Sequence, residues 1–99
     1  MIRSLTYFLT VAKQCSITKA SEELFISQPA LSAAIIRLEE KLDVKLFDRS
    51  GRTLQLTRDG ERLIPHATEI CSAYEKMLNE ICLMKSQSST TLRFGSGLR

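Results

Sequence analysis

Apolar residues recur at helical spacing along most of the chain, in separate runs divided by short polar or turn-forming stretches. Leu5, Phe8, Leu9 and Ala12 predict a first helix from about Ser4 to Gln14, with Ser4 available as its cap and one face turned to a core. Tyr7 on this helix either fills the core or exposes its hydroxyl. A second, short helix is predicted from Lys19 to Phe25, capped by Thr18, with Ala20, Leu24 and Phe25 packed inward. The third begins at Gln28. Ser27 can cap its free amides, and Pro29 in the first turn loses no hydrogen bond the helix needed. Leu31, Ile35, Leu38 and Leu42 then recur in steps of four, three and four, which is one buried face. At about 100° per residue, Pro29, Ser32, Ala33 and Ile36 fall on the opposite side and form a low, smooth outer face.

Beyond the third helix the pattern changes. Lys45-Leu46-Phe47, a polar Asp48 to Arg52 and the alternating Thr53 to Leu56 predict a small two-stranded hairpin, with Gly51 supplying a permissive backbone at its turn. From Arg58 a single long helix follows, capped by Thr57. Leu63, Ala67, Ile70, Tyr74, Met77, Ile81 and Met84 alternate four- and three-residue steps, a heptad seam. Ile64, Cys71 and Leu78 widen the stripe beyond what a small domain can bury, so the pattern implies a partner helix. Pro65 is expected to kink or loosen the early turns. Lys85 to Thr91 reads as a polar hinge, and Leu92-Arg93-Phe94-Gly95 alternates like the start of a strand. Leu92 to Arg99 is expected to be disordered or held only by neighbours. Ninety-nine residues suffice for one compact domain and a helix, with no second core.

Two short helices meeting at Phe25-Ile26-Ser27, the second with an exposed face, form a helix-turn-helix pattern, whose second helix enters a DNA major groove. The amino end of that helix carries partial positive charge, which favours a phosphate or a base acceptor, and Gln28 can grip an adenine edge with two hydrogen bonds. Spacing alone leaves a plain packing unit equally open. Charge adds location rather than amount: the whole chain carries +3, and Lys45 to Arg58 holds four basic residues against the single Asp48. Arg52, at the hairpin tip, suits a phosphate or minor-groove contact. Arg49 reads first as scaffold, held in an ion pair by Glu39 or Glu40.

SQPALS, LEEKL, KLFDR and LTRDG, in this order and spacing, resemble the amino-terminal domain of LysR-type transcriptional regulators, and the resemblance covers nearly the whole chain. Its further marks are Tyr7-Phe8, Ser16-Ile17-Thr18, Leu38-Glu39, Leu46-Phe47, Arg49, Leu56-Thr57 and Gly60. The resemblance implies a mainly α fold: a winged helix-turn-helix of three helices plus a two-stranded wing over residues 1–57, with the helix-turn-helix at about 17–36. A linker and dimerisation helix at 58–85 would follow, and then a hinge and the truncated start of an effector-binding domain at 86–99. It implies a factor that binds double-stranded promoter DNA as a homodimer. Its DNA contacts would be Thr18, Lys19, Ser27, Gln28, Pro29, Ala30, Ser32, Ala33, Ile36, Arg37 and Arg52. Its dimer seam would be Leu63, Ala67, Ile70, Tyr74, Met77, Ile81 and Met84, pairing antiparallel with its copy. A small-molecule inducer is expected for the missing domain and no cofactor in this part; a tetramer at full length and a contact with RNA polymerase stay open. Arg37 is divided between phosphate contact and a solvated or ion-paired role.

Two departures from the family pattern matter. Many members carry Arg, Lys or Gln where Ala33-Ala34 stand; Ala33 and Ile36 can instead meet thymine methyl groups, which tilts the expectation toward A·T-containing half-sites. Asp43 occupies a helix end where the family usually has Gly, so that corner is expected to be slightly strained. Other functions fit less well. Cys15, Cys71 and Cys82 are an odd count without metal-ligand spacing, which reads as reduced spectator thiols in a bacterial cytoplasm; a redox or metal sensor using His66 is the sharper rival. No apolar run approaches a membrane span, and the single His sits near no recognisable nucleophile motif, so no enzyme is expected. A winged helix used for protein assembly and the targeting module of a DNA-processing enzyme remain as alternatives.

Overall fold

A computed structural model describes residues 1–91, with side chains to residue 86. The element order is α1 (Ile2–Gln14), α2 (Ile17–Leu24), α3 (Gln28–Leu42), β1 (Phe47–Asp48), β2 (Gln55–Leu56) and α4 (Arg58–Thr91). The strands pair antiparallel, Phe47 opposite Leu56 and Asp48 opposite Gln55, and form the wing. α1 packs on α2, α3 and the start of α4. Leu5, Phe8, Val11, Ala20, Leu31, Ile35, Leu38, Leu46, Phe47 and Ala67 make one continuous core, in which the rings of Phe8 and Phe47 meet at 5.6 Å and 53°. The wing is thereby anchored to the helices by an aromatic pair as well as by backbone.

Helix ends follow local chemistry, and several differ from the sequence expectation. α1 starts two residues early, at Ile2, and Met1 occupies its cap position without a side-chain bond, so Ser4 lies inside the first turn and caps nothing. Ser16, not Thr18, caps α2: its extended backbone lets Oγ accept from the Lys19 amide at 3.1 Å, while Thr18 is already helical. Ser27 caps α3 as expected, accepting from the Ala30 amide at 3.2 Å. α1, α2 and α3 end on Cys15, Phe25 and Asp43, each in the left-handed conformation with φ of 53°, 59° and 59°. That conformation costs a non-glycine residue roughly 1–2 kcal/mol. The strain expected at Asp43 is therefore present and shared by two other corners. Phe25, expected inside, is 93% exposed, because the left-handed cap turns its side chain away from the helix it terminates. Leu42, last in α3, is 38% exposed at the rim of a shallow hollow it shares with Val44, Leu46, Leu63 and His66.

The wing is held to the helices by hydrogen bonds. Glu39, 4% exposed, accepts at Oε2 from the amides of Leu46 (2.8 Å) and Phe47 (3.2 Å). Its carboxylate thus faces the strand and not Arg49; among the described residues the only ion pair joins Lys13 to Glu23, so the expected Arg49 pair is absent. Glu23 accepts from Gln14 at 2.7 Å and Lys13 at 3.0 Å, clamping the end of α1 to α2, and these two bonds hold its carboxyl below the usual carboxylate range. Gly51 was expected to need a special backbone but has no positive φ, and an added Cβ would meet only Thr53 O at 4.0 Å.

Gly60 is the glycine the fold requires. It sits where α4 crosses the wing, and a Cβ there would lie 2.4 Å from Leu46 O and 2.7 Å from Leu56 Cδ1. Backbone cannot yield cheaply, so Gly60→Ala is expected to cost about 1–3 kcal/mol, read as a lower midpoint in urea unfolding. Thr57 fixes the same corner. Its Oγ1 donates to Lys45 O at 2.6 Å and accepts from the Gly60 amide at 3.0 Å, and its own amide donates to Leu46 O at 3.0 Å.

α4 runs unbroken through Pro65, contrary to the expected loosening. Pro65 and Glu61 both face solvent, so water can satisfy the Glu61 carbonyl that the proline leaves without a donor. The helix also continues past Lys85: residues 86–91, read from sequence as a hinge, are helical backbone. At 1.5 Å per residue α4 is roughly 50 Å long. The strand expected at Leu92 to Gly95, and the disorder expected over Leu92 to Arg99, lie outside the described residues.

Candidate nucleic-acid interface

The outer face of α3 is open. Gln28, Pro29, Ala30, Ile36 and Arg37 are exposed, Ser32 and Ala33 half-buried, and the residues buried along this helix, Leu31, Ala34, Ile35, Leu38 and Glu39, face inward. The sequence-predicted face is thus presented as one surface. Gln28, Pro29 and Ser32 line a shallow cleft with Ile17 from the start of α2 and Arg49 from the end of the wing strand. Sequence reasoning missed Ile17 and Arg49 as members of this site. The sequence carried no signal for Arg49: the Leu46 and Phe47 amides that take the Glu39 carboxylate meet it only in the fold.

The helix amino ends differ in what they leave unpaired. At α2 the Lys19 amide bonds Ser16 Oγ and the Ala20 amide bonds Ser16 O, which leaves the amides of Ile17 and Thr18 without an acceptor in the protein, next to the exposed Thr18 and Lys19 side chains. At α3 the Ala30 and Leu31 amides are bonded to Ser27 and Pro29 has none, so only the Gln28 amide stays open. The backbone offers anion-binding donors mainly at α2, whereas the α3 end offers mainly side chains.

Arg52 is exposed at the wing tip, and next to it Asp48 Oδ1 accepts from the Ser50 hydroxyl (2.6 Å) and amide (2.9 Å). These bonds hold the Asp48 carboxyl below the usual range and shape the loop that carries Arg52. On α4 the expected seam divides. Leu63 and Ala67 pack into the chain's own core, whereas Ile70, Tyr74, Met77, Ile81 and Met84 are 39–63% exposed in a row along one side. Cys71 is half-buried, its Sγ 3.7 Å from Thr6 Oγ1, while Cys15 and Cys82 are exposed. Among the described residues no three His, Cys, Asp or Glu side chains gather as a metal site would require, and no helix is long and apolar enough to cross a membrane.

Comparison with known proteins gives this arrangement a family. The transcriptional regulator BsdA of Bacillus subtilis is 38% identical over 96 residues, covering 96% of this chain and 33% of that protein. CitR of the same organism is 37% identical over 86 residues, covering 87% of this chain and 30% of that protein. The chain therefore spans about a third of the length of these curated relatives. In a crystal structure of the BenM DNA-binding domain with catB site 1 DNA, the protein is 34% identical and superposes with a TM-score of 0.81 over 87% of this chain and 97% of that one. Residues 2–61, the three-helix domain, the wing and the first turn of α4, match the bacterial regulatory helix-turn-helix proteins of the lysR family, and the chain belongs to that family.

Proposed function

We propose that this chain is the DNA-binding part of a transcriptional regulator that binds promoter DNA in the bacterial cytoplasm as a homodimer, and that it acts by binding and not by catalysis. The observation that carries the reading is the open outer face of α3, which lines one cleft with Ile17 at the amino end of α2 and with Arg49. The likeness to a domain solved on DNA supports it. In this reading α3 enters the major groove, with Gln28 and Ser32 hydrogen-bonding base edges and Pro29, Ala30, Ala33 and Ile36 in apolar contact. Thr18, Lys19, Ser27 and Arg37 meet phosphates, together with Arg49, which the cleft adds to the set. Arg52 reaches the backbone or the minor groove from the wing. The exposed row from Ile70 to Met84 pairs with its copy, while Leu63 and Ala67 support that helix from inside their own domain.

Salt dependence tests the reading. Each neutralised phosphate contributes about 0.9 to the slope of log affinity against log salt. Lys19→Ala and Arg52→Ala are each expected to lower that slope by about one and to weaken all duplexes alike. Gln28→Ala should instead cost roughly 1–3 kcal/mol of discrimination between the preferred duplex and a mismatched one. All three variants should leave the dimer intact. A flat salt response, measured by fluorescence anisotropy on labelled promoter fragments, would rule the reading out.

A further inference from the structure

Along the outermost line of α3, no side chain offers a hydrogen-bonding group for two turns. At 100° per residue Pro29, Ala33 and Ile36 lie within an arc of about 60°. Pro29 is exposed, Ile36 is 39% exposed, and Ala33 lies half-buried between them. Gln28 and Ser32 stand on one rim of this strip and Arg37 on the other. The next residue on the line is the exposed Glu40, whose charge opposes phosphate walls and closes the strip at its carboxyl end. From Pro29 to Ile36 the strip is about 10 Å long, roughly three base-pair steps.

A base pair facing this strip must match it chemically. In the major groove every base presents hydrogen-bond donors or acceptors, thymine O4 and the adenine opposite it included, and Ala33 and Ile36 can pair with none of them. Thymine alone among the four bases also presents an apolar group, the C5 methyl. We infer that Ala33 and Ile36 read thymine methyl groups at the centre of each half-site, so that this regulator selects A·T pairs there by apolar contact and confines hydrogen-bonded readout to Gln28 and Ser32. The small Ala33 lets the helix lie close to the base edges, and Ile36 supplies the reach one turn further along. This rests on the DNA-binding reading above.

The test separates the two. The 99-residue protein is used to select duplexes from a random pool, and each thymine of the best duplex is then replaced in turn by deoxyuridine, which pairs identically but lacks the methyl. The expected result is thymine at two or more central positions of each half-site and binding about fourfold weaker for each central methyl removed. Ile36→Ala, a change at an exposed position, should abolish the uracil penalty at one of those positions. Indifference to uracil throughout a selected duplex, or G·C pairs at the half-site centre, would overturn the inference while leaving DNA binding in place. A pool from which no duplex is enriched would overturn the DNA-binding reading itself, and this inference with it.

Discussion

Glu39→Ala is expected to destabilise the domain by about 2–6 kcal/mol, since it strands two buried backbone amides whose loss of a partner costs roughly 1–3 kcal/mol each. Those amides belong to Leu46 and Phe47, which lead into the first strand of the wing. Domains of this size have only about 5–15 kcal/mol in hand, so the variant should unfold at far lower urea than the parent. Glu39→Gln keeps a carbonyl oxygen in the same place and should lose about 1 kcal/mol, the difference between a charged and a neutral acceptor. The pair of variants therefore separates the acceptor from the charge. An alanine variant within 0.5 kcal/mol of the parent, by urea titration followed in the far ultraviolet, would show that the wing stands without this carboxylate.

The second large effect concerns α4. Ile70 and Met77 are 45% and 46% exposed, and they lie seven residues apart on the open row. Ile70→Asp combined with Met77→Asp removes no buried contact within one chain, so the winged domain should keep its stability, yet it sets charges in the middle of the pairing surface. The expected result is a monomer by sedimentation and a loss of DNA affinity of about 100-fold or more, because the second half-site no longer binds as part of the same particle. A double variant that still sediments as a dimer would move the pairing surface elsewhere.

What could be read from the sequence follows from how local the governing physics is. The inner face of α3 was legible because Leu31, Ile35 and Leu38 repeat with the helix, and the wing because alternation at Leu54 and Leu56 follows a polar turn. The candidate recognition surface was legible as the complement of that inner face. Phe25 was misread because apolar character says nothing about backbone hand: a residue that ends a helix in the left-handed region points away from the core its neighbours share. Arg49 was misread for a different reason. Its supposed partner Glu39 was within reach in sequence, but two amides compete for that carboxylate, and only the fold brings them there. The helical backbone of residues 86–91 was hidden because serine and threonine carry weak helix preference, and the preceding helix supplies the nucleus that such a stretch could not form alone.

The corner at Thr57 and Gly60 has a mechanical consequence. Three hydrogen bonds and a glycine pressed against Leu46 O leave α4 no pivot where it meets the wing, and Glu39 ties that wing to α3. Each protomer then behaves as a rigid bracket whose angle is set at the joint. If two brackets are joined along their shafts, a mismatch between operator spacing and the distance between heads must be absorbed by bending of the duplex or by sliding along the shafts, since the joint itself has no slack.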